Sequence, residues 1–214
     1  MKQKVNSEIY LQSAKKLVEI LSLRVVVVVH GYTASAASEA ERLKAMLNSK
    51  LGVEVELCTQ EEVRESSCLI SDRDIVYPLF LLRGSGYLEV VTKASSRGAK
   101  IVEPPSLKDA VGPLSEKLSG CRSVSLVHPE AERSETLREV ARLLQEKLGV
   151  PVNLFKKCSG SEDCVAVLSL LPGITSLRAS EECGDKLLVS HLLPLLEEAI
   201  VSRLKVYIEA SGNL

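Results

Sequence analysis

The sequence lacks several features that define large classes of protein. Its 27 basic and 28 acidic residues leave a net charge of −1, so there is no positive excess for binding nucleic acid through its phosphates. Aromatic residues make up only 3% of the chain and tryptophan is absent, which argues against base-stacking surfaces and predicts an aliphatic core. The longest aliphatic run, Val25–Val29, is much too short to cross a bilayer, so we expect no membrane contact.

Targeting and cysteine motifs are also missing. The first residues carry no apolar stretch of the kind found in secretory signals, which predicts a cytoplasmic protein. The six cysteines form no Cys-x-x-Cys pair, which argues against a structural zinc site and a thioredoxin-type motif. We expect most of them to be buried or idle thiols. A disulfide between Cys158 and Cys164 is an alternative, and such a bond would suit an intracellular protein of a hyperthermophile.

Motifs for nucleotide binding and acyl transfer do not occur. There is no Gly-x-x-x-x-Gly-Lys-Ser/Thr loop and no Gly-x-Ser-x-Gly nucleophile elbow. Gly84-Ser-Gly86 resembles the start of a dinucleotide fingerprint, but Glu89 stands where the third glycine belongs. We therefore expect no organic cofactor.

What the chain does contain is an internal repeat. Each copy begins with an aliphatic run that ends in histidine, at His30 and again at His128, a spacing of 98 residues. Later glycines, Gly52 and Gly149, repeat at a spacing of 97 residues within nearly identical Lys-Leu-Gly-Val phrases. Because the matched blocks occur in the same order, the pattern indicates a duplication. The blocks are 25–31 with 123–129, 50–57 with 147–154, and 75–82 with 164–171.

Each copy is predicted to alternate strands with helices, which favours parallel sheets and right-handed crossovers. The predicted fold is α/β, with two similar lobes that each contain a parallel four-stranded sheet flanked by helices. We assign residues 1–22 to an N-terminal helix, 23–120 to the first lobe and 121–214 to the second. The predicted strands are 25–29, 53–57, 75–81, 100–102, 150–155, 165–171 and 186–189, with another before His128. The predicted helices start near Ser38 and Ser134 and close the lobes at 107–118 and 192–206.

Candidate site residues lie where the strands end. Ligands of open parallel sheets bind beyond the carboxyl ends of the strands, and His30 and His128 stand at those ends. Imidazole is a common ligand of divalent transition metals, so both are candidate metal ligands. The alternative is that each ring caps the following helix or hydrogen-bonds a turn. For His191, at the start of the last helix, we favour packing or hydrogen bonding over metal binding.

These residues resemble the sirohydrochlorin cobaltochelatase and ferrochelatase family, the CbiX-type class II chelatases. The resemblance rests on the strand ending in His-Gly, the Val-Glu-Val strand that follows the first helix, and the segment Tyr77–Gly86. It covers 25–118 well and 123–205 more loosely, as in the tandem form that supplies two chelatase-like lobes from one chain. It implies insertion of Co²⁺, or of Fe²⁺ or Ni²⁺, into sirohydrochlorin or a related tetrapyrrole in a cleft between the lobes, without ATP. One chain holding both halves predicts a monomer.

The resemblance also implies roles for particular residues. The first histidine of the family motif corresponds to His30, which is our candidate for both the metal ligand and the base. His128 is its equivalent in the second copy and a further candidate metal ligand. Arg83, Gly84, Ser85 and Gly86 are candidates for holding substrate carboxylates.

The family's second histidine is missing from both copies. Its position carries Gly86 in the first copy and Thr175 in the second. Three alternatives follow. His30 and His128 cooperate across the cleft, a carboxylate such as Glu89 or Glu103 substitutes, or the chain has become an inactive carrier of tetrapyrrole or metal.

Overall fold

Strands and helices alternate along the chain. The computed structural model describes residues 23–31, 34–158 and 163–211. The helix predicted for residues 1–22 lies outside this range. The strands are β1 (Arg24–Val29), β2 (Glu54–Thr59), β3 (Ile75–Pro78), β4 (Lys100–Ile101), β5 (Val124–Val127), β6 (Val152–Phe155), β7 (Cys164–Val167) and β8 (Leu187–Val189). The helices are α1 (Ala34–Leu51), α2 (Gln60–Glu65), α3 (Ser85–Ser96), α4 (Val111–Lys117), α5 (Glu135–Leu148), α6 (Ile174–Cys183) and α7 (Leu193–Ser211), with 3₁₀ helices at Leu107–Ala110 and Gly184–Lys186.

The strands form two four-stranded sheets with the same topology. The first has the order β2-β1-β3-β4 and the second the order β6-β5-β7-β8, with all neighbours parallel. The predicted α/β fold with two similar lobes is therefore confirmed. None of the helices just named is long and apolar enough to span a membrane.

Several predicted boundaries were wrong by a few residues. Helix α1 begins at Ala34 rather than near Ser38, because the preceding alanine-rich stretch favours helix. Strand β3 ends at Pro78 rather than at residue 81, because the chain turns there and the Phe80 amide donates back to the Pro78 carbonyl over 2.9 Å. The last helix runs to Ser211, beyond the predicted residue 206. The start predicted near Ser134 is confirmed, because the Ser134 side chain caps α5.

Strand β1 contributes to two separate cores, as a strand buried on both faces must. Val25, Val27 and Val29 belong to a large core that also contains residues of the second sheet and of α1, α4, α5 and α7. Val26 and Val28 face the other way, into a smaller cluster with residues of α2 and α3. The uninterrupted valine run predicted this two-sided burial.

The large core joins the two lobes through an exchange of helices. Helix α4, which closes the first lobe, packs against α5 of the second lobe, and α7, which closes the second, packs against α1 of the first. The first helix of each lobe is therefore covered by the closing helix of the other. One face of each sheet shares this large core with the opposite lobe, so the core is continuous across the two lobes.

All six cysteines are paired in disulfides, which corrects the prediction of idle thiols. The bonds join Cys58 to Cys68, Cys121 to Cys164, and Cys158 to Cys183. The pairing considered for Cys158 and Cys164 is wrong, because each of them bonds to a different partner. Proximity in sequence misled here, since the bond from Cys121 connects the beginnings of neighbouring strands that lie 43 residues apart in the chain.

Tyr77 presents a buried polar atom without a partner. Its side chain is 0% exposed, its hydroxyl makes no hydrogen bond with any residue that the structure describes, and burial strongly raises its pKa. A buried hydroxyl without a partner loses its hydration with no compensation. We expect Tyr77→Phe to raise the free energy of unfolding by about 1 kcal/mol in urea titrations. Tyr207→Phe, at a half-buried tyrosine on α7, serves as the control and should change it little. A destabilised Tyr77→Phe protein would contradict the assignment.

The disulfides allow a graded stability test. Removing a cross-link that closes a longer loop releases more chain entropy in the unfolded state. The loops closed by Cys121–Cys164 and Cys58–Cys68 span 43 and 10 residues. We expect double alanine variants to lose about 4 and about 3 kcal/mol respectively, measured by chemical denaturation. All four cysteines are buried, so the packing losses are comparable. A larger loss at the shorter loop would refute this ranking.

Candidate functional site

The two repeated histidines stand where the sequence predicted them. His30 directly follows β1, and His128 directly follows β5. These two strands occupy equivalent inner positions in their sheets. Gly84, Ser85 and Gly86 begin α3 just after β3, which neighbours β1. Parallel strands place these residues at the same edge of the first sheet. The carboxyl edge of each lobe therefore carries one of the two repeated imidazoles.

His30 is hydrogen-bonded to Gln60, the residue that directly follows the neighbouring strand β2. The last register pair of β1 and β2 joins Val29 to Thr59, so the next residues, His30 and Gln60, adjoin. The Nδ1 atom of His30 lies 2.8 Å from Oε1 of Gln60. The edge of the Phe80 ring also approaches the imidazole, with 6.0 Å between the ring centroids. His30 itself is exposed, although these two contacts orient its ring.

Gln60 is part of a longer chain of polar contacts. Its Nε2 donates to Oε2 of Glu89 over 2.6 Å, and Arg64 donates to both oxygens of the same carboxylate, over 2.7 and 3.0 Å. The Arg64 hydrogen bonds, followed by that from Gln60, lower the pKa of Glu89 to about 2. Glu89 therefore stays ionised across the working pH range. It reaches His30 through Gln60 rather than directly.

The beginning of α3 is open to a ligand. Its N-cap residue, Gly84, has no side chain to accept hydrogen bonds from the first helical amides, and Gly173 leaves α6 in the same condition. Free amides and the helix dipole attract anions. Nearby, Arg83 donates to Glu103 over 2.9 Å, and its guanidinium lies 5.7 Å from the centre of the Tyr87 ring. Arg83 and Glu103 are both exposed, so the pair can open towards a ligand.

Gly86 is where the family resemblance places a second histidine, and it packs against Gln60. A β-carbon at this position would lie 2.4 Å from Oε1 of Gln60, closer than atoms can approach. Gln60 therefore occupies the space into which a side chain at position 86 would extend. A side chain at position 86 would therefore require the Gln60 side chain to move.

His128 has a different environment from His30. Its Nδ1 accepts a hydrogen bond from the backbone amide of Glu130 over 3.0 Å, which is the turn contact that we considered as the alternative to metal binding. Burial lowers the pKa of His128, with the Glu130 carboxylate opposing, so the ring is neutral at physiological pH. The partners of the two imidazoles within the described ranges have no residue in common. The structure thus does not bring His30 and His128 together through a shared contact.

His191 marks where the carboxyl edges of the two lobes adjoin. It follows β8 in the second lobe, and its Nε2 lies 3.3 Å from Oε1 of Glu39 on α1 of the first lobe. Its Nδ1 lies 3.0 Å from the Ser190 hydroxyl. The ring is thus engaged in hydrogen bonding close to the start of the last helix, the role that we favoured for it.

Exposed leucines repeat beside the two open helix ends. Leu88 and Leu177 are 59% and 46% exposed, and each donates its amide to the N-cap glycine of its helix, Gly84 or Gly173. An open groove of about 680 Å³ begins at Ser85 and follows α3 past Leu88. Each lobe therefore presents an apolar side chain next to a helix N-terminus that can bind an anion.

The sequence did not reveal Gln60 and Arg64 as site residues. Arg64 lies in the charged run 61–65, which in the sequence is most simply interpreted as solvated surface, and Gln60 directly precedes that run. Gln60 is nevertheless only 7% exposed. It is the first residue of α2, a helix whose start is fixed by the capping box of Thr59 and Glu62. Strand register was the signal that could have identified Gln60. It directly follows β2 as His30 directly follows β1, and the two strands are neighbours.

Comparison with known proteins supports the fold. The chain matches no family model, and it matches no curated protein sequence. Its structure is similar to that of CbiX, the terminal enzyme for biosynthesis of siroheme in denitrifying bacteria, with a TM-score of 0.55 and 18% sequence identity. The similarity covers 86% of this chain and 98% of that one. At this identity the likeness shows a shared fold, and it confirms the predicted chelatase-like architecture.

The contact between Gly86 and Gln60 can be tested by adding one methyl group. Gly86→Ala must displace the Gln60 side chain, because the added carbon would lie 2.4 Å from its Oε1, whereas Gly84→Ala enters open space. We expect both proteins to remain folded, since the end of a glutamine side chain can move. The His30 ring resonances in NMR spectra should shift strongly in Gly86→Ala and little in Gly84→Ala. Equal shifts in the two variants would contradict the packing described.

Proposed function

We propose that this protein inserts a divalent metal into sirohydrochlorin or a related tetrapyrrole without ATP, with His30 as the residue that handles the metal. The observation that carries the proposal is the geometry of His30, whose Nδ1 is hydrogen-bonded to Gln60 while its Nε2 is directed away from that bond. An exposed imidazole nitrogen at the carboxyl edge of a parallel sheet is suitably placed to bind a metal. The fold shared with CbiX supports the same conclusion.

The macrocycle would bind through its carboxylates and the apolar face of its ring. The open N-terminus of α3, formed by Gly84, Ser85 and Gly86, offers backbone amides to a carboxylate. Arg83 can exchange its exposed partner Glu103 for a second carboxylate. Leu88 provides apolar surface beside them. Sirohydrochlorin combines many carboxylates with a flat apolar ring, so these features match both parts of such a substrate.

His30 can serve in both halves of the reaction. Insertion of a divalent ion replaces two N–H protons of the macrocycle. In the proposed step, the metal leaves Nε2 of His30 for the pyrrole nitrogens, and the freed lone pair accepts one of the displaced protons. The second proton passes to solvent. Co²⁺ is the proposed metal, with Fe²⁺ and Ni²⁺ as further substrates, because all three bind imidazole well.

The role of His128 stays a prediction. Its Nδ1 is occupied by the Glu130 amide, so the neutral ring carries its hydrogen on Nε2. To bind a metal through Nε2, His128 must first lose that hydrogen. A monomer with the substrate held between its lobes, working in the cytoplasm, is the setting that we propose. The three disulfides restrict this location to a cytoplasm that tolerates them.

An inactive carrier is the competing function, favoured by the absence of a histidine at Gly86 and Thr175. A titration of the purified protein with sirohydrochlorin, with and without Co²⁺, separates the two functions. An enzyme converts the absorption spectrum to that of the metallated ring over many turnovers. A carrier also binds the ring, but the metal-free spectrum then changes no faster than it does without the protein.

His30→Ala tests the proposed chemistry directly. Because it removes both the metal handle and the proton acceptor, we expect the rate of Co²⁺ insertion to fall by about 100-fold or more. His191→Gln is the control for loss of an imidazole elsewhere and should retain most of the activity. Circular dichroism and the unfolding midpoint would confirm that both variants fold. An unchanged insertion rate in His30→Ala would remove the basis of the proposal.

A further inference from the structure

The hydrogen-bond partners of Gln60 determine which way its amide faces. The Glu89 carboxylate can only accept hydrogen bonds while it is ionised, and the flanking Arg64 keeps it so. The NH₂ group of Gln60 must therefore face Glu89, at the observed distance of 2.6 Å. The amide oxygen is left facing Nδ1 of His30, at 2.8 Å. This orientation follows from chemistry, since the reversed amide would place an oxygen against a carboxylate.

The orientation of Gln60 in turn determines the tautomer of His30. An amide oxygen accepts hydrogen bonds and cannot donate them, so Nδ1 of His30 must carry a hydrogen. In the neutral ring the other nitrogen, Nε2, then has a free lone pair. Nε2 is the atom that a metal or a proton would occupy in the proposed reaction.

We propose that Gln60, oriented by Glu89, is a positioning residue that holds His30 in the Nδ1–H tautomer and leaves Nε2 free for metal and proton. This inference deepens the proposed function and rests on it for its catalytic consequence. The tautomer itself is a property of the folded chain. Partners that orient an imidazole in this way contribute substantially to metal affinity in other proteins.

The second lobe carries the opposite arrangement. Nδ1 of His128 accepts a hydrogen bond from the Glu130 amide, which places the ring hydrogen on Nε2. No glutamine follows β6 at the corresponding place, where register puts Lys156 opposite His128, with Lys156 paired to Glu132. The two repeated histidines therefore differ in the atom that they offer to a ligand. Only His30 presents an unprotonated Nε2.

Gly86 completes the arrangement by leaving room for Gln60. Any β-carbon at position 86 would collide with the amide oxygen that contacts His30. The first lobe thus contains a hydrogen-bonded partner for His30 in the space that a second histidine at position 86 would enter. The relay from Arg64 through Glu89 and Gln60 replaces that side chain.

Nitrogen-15 NMR of the ring nitrogens tests the inference without any activity measurement. The chain contains three histidines, so the signals can be assigned with His30→Gln and His191→Gln proteins. At a pH where the rings are neutral, His30 should show a protonated Nδ1 and an unprotonated Nε2. His128 should show the reverse in the same spectrum, which makes it an internal control. A protonated Nε2 at His30 would overturn the inference.

Variants of Gln60 test the cause of the tautomer. Gln60→Leu keeps a similar volume but removes the acceptor, so His30 should shift towards the Nε2–H form that free histidine favours, while His128 stays unchanged. The exchange Gln60→Glu with Glu89→Gln reverses the donor and acceptor between these two positions and still offers an oxygen to Nδ1. It should restore the original tautomer. Persistence of Nδ1–H in Gln60→Leu would show that Gln60 does not hold it.

Metal binding separates failure of this inference from failure of the proposed function. We expect Gln60→Leu to weaken Co²⁺ binding by about 10- to 100-fold, with recovery in the exchanged pair. If the wild-type protein inserts no metal but shows the expected tautomers, the positioning role stands and the chelatase function fails. If it inserts metal and Gln60→Leu changes neither tautomer nor Co²⁺ affinity, the positioning role fails and the function stands.

Discussion

The architecture depends on burying one apolar face of each sheet in a common core. Parallel strands such as β1 expose apolar side chains on both faces, and each face needs a cover. On one side the cover is local, since α2 and α3 pack on the first sheet. On the other side it is shared, because α1, α4, α5 and α7 contribute to a single core with residues of both sheets. This shared core fixes the relation between the lobes and hence between their carboxyl edges.

Ion pairs between the lobes occur at equivalent helix contacts, but they contribute little to holding the lobes together. Arg42 on α1 pairs with Glu197 on α7, and Glu139 on α5 pairs with Lys108 near α4, which reverses the charges. Both pairs are partly exposed, and such pairs contribute about 0–1 kcal/mol. The buried apolar surface therefore determines how the lobes meet.

Much of the fold could be predicted from the sequence, and less of the site. Valine runs, helical periodicity and the repeated phrases are local signals, so the two parallel sheets and the start of α5 after Ser134 followed from them. The position of His30 after β1 could be predicted because strand ends are recognisable, and its role stays a prediction. Gln60 was missed because its importance comes from register with a strand that lies 30 residues away in the chain. The disulfides were missed for the same reason, since spacing along the chain does not report which strands are neighbours.

The proposed function gives the absence of a histidine at position 86 a physical interpretation. A site with two convergent imidazoles holds an ion more firmly than a single imidazole does. A metal that must leave for a macrocycle gains nothing from firm retention, because every additional ligand raises the barrier to its departure. One imidazole with a defined tautomer instead offers a single lone pair, first to the ion and then to a proton. In the first lobe, Gln60 fills the space near Gly86, so under the proposed function the residue that would hold the tautomer of His30 also excludes a second ligand at position 86.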